Sequence, residues 1–363
     1  PAYRPMTASP PAPLPHGITV LERGWLSANN VVCIGPEGAA VVDTGYCTHS
    51  DQTVALVQSA LGAQPLQRIL NTHLHSDHCG GNAALQAAWP GASTHIPPGQ
   101  MALVAQWDAY ALSYTPTGQD CPRFKADTAL QPGTTVPLAG RDWQVHAAPG
   151  HDPHSVVLFE PQSATLISAD ALWENGFGVV FPELEGTAAF DEVAATLDVI
   201  ERLAPRTVIP GHGPVFTDAP RAIAAARQRL QGFAAAPRKH ALYAAKVLLK
   251  YKLLELQHTT VPALQQWAEG TPYFGMLHRT HFADQPQAAW LHSLVADLDQ
   301  WQSRTLERLS ADPRWKLVYD DAPELPFAIV STGSRVALAG HWQASQDSSG
   351  RRFPFITAAT LPA

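Results

Sequence analysis

Asn71-Thr72-His73-Leu74-His75-Ser76-Asp77-His78-Cys79-Gly80-Gly81 decides how the rest of this chain is read. Four side chains able to ligate a metal, His73, His75, Asp77 and His78, fall within six residues. The apolar run Arg68-Ile69-Leu70 before them reads as the end of a strand, and Asn82 to Trp89 after the Gly-Gly reads as a helix. The stretch is therefore a strand-to-helix loop at the carboxyl end of a strand, where α/β folds place their sites. His73 and His75 are two residues apart, so on an extended backbone their imidazoles leave the same side. Asp77 and His78 are adjacent, where the chain turns, and can face a second centre. Imidazole together with carboxylate suits zinc, iron or manganese.

Outward from this loop, further short motifs follow apolar, strand-like runs. Downstream they are Pro149-Gly150-His151-Asp152-Pro153-His154-Ser155, Ile167-Ser168-Ala169-Asp170 and Ile209-Pro210-Gly211-His212-Gly213; upstream is Ala40-Val41-Val42-Asp43-Thr44-Gly45. In this order the five elements resemble the metallo-β-lactamase superfamily over residues 17 to 215. The resemblance implies an α/β fold, the superfamily's αβ/βα four-layer sandwich. It also implies a ligand set: His73, His75 and His151 for one metal, Asp77, His78 and His212 for the other, and Asp170 bridging both. Two divalent ions are expected, zinc by default with iron or manganese acceptable.

A hydroxide between two such ions would be the nucleophile without a side-chain base. Asp77 is then the candidate proton shuttle, and Asp43 the residue that fixes a ligand imidazole from behind. Asp170 argues against lactam hydrolysis, because true β-lactamases of this fold place Cys or Ser there. His75 argues against flavodiiron oxidoreductases, which carry an acid at that position. The function expected is hydrolysis of an ester, thioester or lactone, as in glyoxalase II. The alternatives are a phosphodiesterase or endoribonuclease of the same superfamily, and a non-catalytic adaptor linked to secretion.

The whole chain bounds these readings. With 363 residues, 45 % of them hydrophobic, it can bury a large core and carry additions. A net charge of -7 argues against a nucleic-acid grip over the whole surface. The partner expected is a small molecule, with assembly into a homo-oligomer left open. Four cysteines without a C-x-x-C pair suggest no disulfide framework and a reducing, cytoplasmic setting. Cys79, abutting the metal loop, is read as a small residue filling the helix start. No apolar run is long enough to span a membrane.

Four segments are expected. Residues 1–16 form a Pro-rich arm without the apolar core of a secretory signal, and residues 17–217 a catalytic domain. Within it, Ile18–Arg23, Asn30–Ile34 and Ala39–Val42 read as an antiparallel meander. A helix from Thr48 or Ser50 stops at Gly62, and another runs from Pro98 to Tyr110. An irregular insertion at 111–125 can overhang the site. After Asp170, Trp173, Phe177 and Phe181, with Glu174 and Glu183, are candidates for lining a substrate pocket. Residues 218–300 read as a helical, winged-helix-like domain whose helix 238–256 carries Arg238, Lys239, Lys246, Lys250 and Lys252, most simply a solvated face. The tail, residues 301–363, reads as a small α+β piece. Its Trp301, Trp315, Pro326-Phe327 and Gly350-Arg351-Arg352-Phe353-Pro354-Phe355 are similar to part of the TagF/ImpM accessory domain of type VI secretion.

Overall fold

Six strands build the first sheet. β1 (Ile18–Leu21), β2 (Asn30–Gly35) and β3 (Gly38–Val42) form the antiparallel meander, with Ile18 opposite Cys33 and Val31 opposite Val42. β4 (Leu66–Leu70), β5 (Ser93–Ile96) and β6 (Thr128–Ala129) then add in parallel. The intervening helices are α1 (Ser50–Leu61), α2 (Ser76–Cys79), α3 (Asn82–Ala88), α4 (Met101–Gln106) and α5 (Tyr114–Thr117). The second sheet is the antiparallel run β7 (Thr135–Leu138), β8 (Arg141–Ala147), β9 (Val156–Glu160) and β10 (Thr165–Ala169). β11 (Thr207–Pro210) joins its edge parallel to β10, after the crossover through α6 (Phe181–Leu184) and α7 (Phe190–Leu203). α8 (Ala219–Ala235) follows. This computed structural model describes residues 14–310 apart from residue 258, together with the short strands Ile329–Val330 and Leu338–Ala339.

The layers follow from strand alternation. Val31, Cys33, Ala40, Val42 and Leu70 of the first sheet meet Val136, Leu138, Trp143, Val145, Val156, Leu158, Ile167 and Ile209 of the second. Their sequence neighbours point the other way. Val32, Val41 and Ile69 pack on Val57 and Leu61 of α1 and Leu85 of α3. Val157, Leu166 and Val208 pack on Val193, Leu197 and Ile200 of α7 and Ala222, Ile223 and Ala226 of α8. Helix, sheet, sheet, helix is the four-layer order expected.

Three expectations need correction. α4 stops at Gln106 rather than reaching Tyr110, because Trp107 is left-handed at φ 58° and the Asp108 carboxylate accepts the N–H groups of Tyr110 and Ala111 at 3.1 and 3.0 Å. Neither Thr48 nor Ser50 caps α1. A 3₁₀ turn, Cys47–His49, runs straight into it, and the N-terminus has no side-chain cap. The domain boundary expected at 217/218 falls instead at 241/242, where the chain parts into two units. The physical reason is α8: Ala222, Ile223, Ala226 and Leu230, at helical spacing, are buried in the sandwich core rather than in a separate domain.

The second unit is helical from residue 242 to 310, and its two short described strands, Ile329–Val330 and Leu338–Ala339, pair antiparallel. The remainder of α9 (Pro237–Leu256), α10 (Val261–Gly270), α11 (Pro272–His281) and α12 (Gln287–Ser310) surround Phe274, Phe282 and Trp290. Its described lysines on α9 are engaged: Lys246 pairs with Asp297 and Lys252 with Glu255, each at 2.9 Å, and Lys250 is half-buried. Residues 1–13 of the expected arm and most of the tail beyond residue 310 lie outside the described residues. No helix among the described residues is long and apolar enough to cross a membrane.

Candidate metal centre

The seven sequence-predicted ligands converge at the ends of both sheets. β4 delivers His73, His75 and, on the turn of α2, Asp77 and His78. The loops after β8, β10 and β11 deliver His151, Asp170 and His212. They sort into two clusters, His73–His75–His151 and Asp77–His78–Asp170–His212, in each of which the ligand atoms lie within 4.8 Å of one another. In the first, His75 Nδ1 is 3.1 Å from His73 Nε2 and 2.8 Å from His151 Nε2. In the second, Asp77 Oδ2 is 3.0 Å from His212 Nε2 and 3.6 Å from His78 Nε2. Asp170 stands between the clusters: Oδ2 is 3.4 Å from His151 Nε2, while Oδ1 is 3.4 Å from His78 Nε2 and 3.8 Å from His212 Nε2. Gly211 is required beside it, since a Cβ there would collide with Asp170 Oδ1 and crowd His78.

The far side of each ring settles which nitrogen faces inward. His78 Nδ1–H donates to Asp43 Oδ2 at 2.8 Å, His212 Nδ1–H to the Gly24 carbonyl at 2.9 Å, and His151 Nδ1–H to the Val179 carbonyl. His73 Nδ1 lies 3.2 Å from Thr72 Oγ1. These four present Nε2. His75 is reversed: Nδ1 faces the cluster, and Nε2 lies 3.8 Å from the buried Asp152 carboxylate. Asp43 itself is held by accepting from the Thr72 N–H and hydroxyl at 2.9 and 2.8 Å, in a left-handed backbone at φ 57°. Such a conformation in a non-glycine residue persists only where its surroundings enforce it.

The site fits cations. His78 Nε2 is buried without a hydrogen-bond partner, facing two carboxylates. Burial, then the neighbouring imidazoles, holds His73 well below the ordinary histidine pKa; burial, then His151, lowers His75 to about 4. Both are thus neutral near pH 7, with lone pairs aimed at one point. In the second cluster burial alone would lower His78 and His212, but Asp170 foremost, with the other carboxylates, raises both. Burial raises the Asp77 and Asp170 carboxyls, yet His78 leads the imidazoles that bring both down, Asp170 far down. A divalent ion competes with protons for these same lone pairs.

Of the residues expected to line a pocket, two stand against the clusters. The Trp173 ring lies 5.6 Å from that of His212, and its Nε1–H donates to Asp170 Oδ1 at 3.1 Å. Phe181 lies edge-on to His75 and tilted to His151, at 5.2 and 5.9 Å. Phe177 does not: it is 1 % exposed, packed on Phe233 with the Arg229 guanidinium over its ring. The intervening β-bridge between Trp173 and Gly176 turns it into the core. Glu174 pairs with Arg221, and Glu183 accepts the N–H groups of Ala189 and Phe190 at the start of α7.

Sequence reasoning missed the β1–β2 loop. Trp25 stacks flat on His212, 5.3 Å between centroids at 5°. Asn29 donates its side-chain N–H groups to the Pro210 and Gly213 carbonyls and its backbone N–H to that of Gly211, and the Ala28 N–H donates to the Asp77 carbonyl. This loop braces both ligand-bearing turns. His240 was missed too. Its Nε2 accepts the Val180 N–H at 3.1 Å, fixing the segment whose Val179 carbonyl orients His151.

The family model for the metallo-beta-lactamase superfamily matches residues 23–212, just over half of the 363-residue chain. A second model, the type VI secretion system-associated TagF N-terminal domain, matches residues 282–363. The chain is 35 % identical over 144 residues to a hydroxyacylglutathione hydrolase of Synechococcus sp. (strain JA-3-3Ab), covering 39 % of this chain and 47 % of that one. It is 32 % identical over 171 residues to that of Dechloromonas aromatica (strain RCB), 47 % and 52 % of the two chains. The chain thus spans about half the length of these curated relatives. Among solved structures, a beta-lactamase domain protein from Burkholderia ambifaria superposes with a TM-score of 0.50 at 20 % identity, covering 76 % of this chain and 92 % of that one. A metallo-beta-lactamase from Cronobacter sakazakii does so with 0.50 at 19 %, covering 61 % and 93 %. Matched motif for motif over its sandwich, the chain belongs to the metallo-beta-lactamase superfamily.

Proposed function

We propose that this chain is a hydrolase that uses two divalent metal ions, zinc foremost, to cleave an ester, thioester or lactone carbonyl. The observation that carries the reading is Asp170, whose two oxygens are shared between the two imidazole clusters. His73, His75 and His151 would hold one ion and Asp77, His78 and His212 the other, with Asp170 across both. Bound there, the pair supplies an activated water near neutral pH and polarises the carbonyl oxygen. The chain's own groups do the rest. Asp77, on the second cluster, can accept a proton at its carboxylate and return it to the leaving group. Asp43 and Trp173 hold His78 and Asp170 in place from behind. Trp25, Trp173 and Phe181 flank the two clusters with aromatic surface, suited to an apolar acyl group. The phosphodiesterase alternative gains no support from α9, whose Lys246 and Lys252 are paired with acids. The absence of a spanning helix among the described residues fits a cytoplasmic enzyme acting on a small molecule.

The test is elemental analysis together with a panel of thioesters, lactones and bis-aryl phosphates. Two ions per chain and carbonyl turnover lost on chelation and regained on adding zinc are expected. Full turnover in verified metal-free protein, or turnover of phosphodiesters alone, refutes it.

A further inference from the structure

We infer that Cys79 and Cys121 form an oxidisable thiol pair, a modification site that clamps the ligand-bearing turn. Cys79 ends α2, the turn carrying Asp77 and His78, and is wholly buried. Cys121 lies in the 111–125 insertion, half-buried, in a stretch without regular secondary structure. The two sulfurs are 3.7 Å apart. A disulfide needs about 2.0 Å, so a closure of under about 2 Å suffices, shared between side-chain rotation and an irregular loop. The surroundings frame this meeting. Tyr114 Oη is 3.2 Å from Cys79 Sγ, and Leu74, Cys79, Tyr114 and Phe124 share one apolar cluster. Cys79 Sγ–H is also 3.3 Å from the carbonyl of the ligand His75. The insertion is seated on the same turn a second time, through Ser76 Oγ and Gln119 Oε1.

Exposure sets the order of events, since Cys121 reaches solvent and Cys79 does not. The Cys121 sulfur attacks a hydroperoxide: the O–O bond breaks, the alkoxide leaves with the thiol proton as an alcohol, and Cys121 becomes a sulfenic acid. The Cys79 sulfur then attacks the Cys121 sulfur. The S–O bond breaks, and the hydroxide leaves with the Cys79 proton as water. Two thiols lose two electrons to one hydroperoxide. The product ties the insertion to α2 across 42 residues.

The experiment treats the full, metal-loaded chain with hydrogen peroxide and maps it under non-reducing conditions. A cross-linked peptide pair holding Cys79 and Cys121, lighter by two hydrogens and reversed by dithiothreitol, is expected. Cys47, whose Sγ–H donates to the Asp120 carbonyl at 3.3 Å, is the competitor. Cys47→Ser should leave the cross-link intact, and Cys79→Ser should leave a sulfenic acid on Cys121 that a dimedone probe labels. If Cys79→Ser does not fold, the wild-type map still decides. A Cys47–Cys121 link, or over-oxidation of Cys121 without any link to Cys79, overturns the inference.

Discussion

Asp43→Asn is the sharpest probe of the second cluster. The Asp43 carboxylate accepts three hydrogen bonds, from the Thr72 N–H, the Thr72 hydroxyl and His78 Nδ1–H. Asparagine keeps the carbonyl that receives the Thr72 N–H and tolerates the left-handed backbone at φ 57° nearly as well, so the turn survives. What changes is Oδ2, the atom that faces both His78 Nδ1 and the Thr72 hydroxyl. An amide N–H now points at Nδ1–H, and relief comes only if the imidazole moves its proton to Nε2, the nitrogen aimed into the cluster. A hydrogen bond to a charged group is worth about 1.5–3 kcal/mol. Loss of such a support typically lowers metal affinity about 10–100-fold, or about 1.4–2.8 kcal/mol, which agrees. Zinc bound at the second cluster should weaken by that factor. The first cluster should weaken less, because His75 and His151 are held by Asp152 and Val179 and only His73 leans on Thr72, whose hydroxyl Asp43 shares. Competition titration against a chromophoric chelator resolves the two steps. Equal weakening of both, or of neither, refutes the assignment of Asp43 to one centre.

Asp170→Ala should lower occupancy at both sites and His212→Ala mainly at one, read by metal content after dialysis; unchanged content in the first variant removes the bridge. Phe181→Ala should raise KM for aryl-acyl thioesters about tenfold, the loss of about 1.4 kcal/mol of apolar contact, with kcat little changed. An equal fall in kcat for acetyl and aryl-acyl substrates would show that the ring positions His75 and His151 instead. Burial, then Arg23, holds His49 down to about 4 from 6.5, so the unfolded chain takes up this proton first. Its contribution is fully present above pH 6.5 and shrinks as pH falls toward 4, by up to about 3 kcal/mol. Urea unfolding at pH 7 and pH 4.5 should show a smaller acid loss in His49→Gln than in the wild type, and identical losses refute it.

The convergence of the candidate ligands was legible because four of them share one loop and the others follow strands with their own punctuation. The loop's period-2 spacing already separated His73 and His75 from Asp77 and His78. Trp25 and Asn29 were not legible, since what gives them meaning lies far away: the Gly24 carbonyl meets His212 across 188 residues. Phe177 was misplaced because proximity to Asp170 in sequence says nothing about which face a tight bridge presents. α8 shows the same limit at the scale of domains. Its apolar stripe announces burial but not the partner, and the partner is the second sheet. Trp107 broke the expected helix by a left-handed turn that no local residue type foretold.

Asp77 and His212 touch at 3.0 Å though 135 residues separate them, and one comes from the first sheet, the other from the second. Ions held by these two clusters would be a rivet through the seam of the sandwich. Contacts of such long sequence separation are costly to close and form late in folding. Interactions absent from the folding transition state act on the rate of unfolding. Ions bound here should therefore leave the refolding rate nearly unchanged and slow unfolding, by an amount that grows with the logarithm of free metal. The lifetime of the folded chain, and not only the activity proposed for it, would then depend on the metal supply around it.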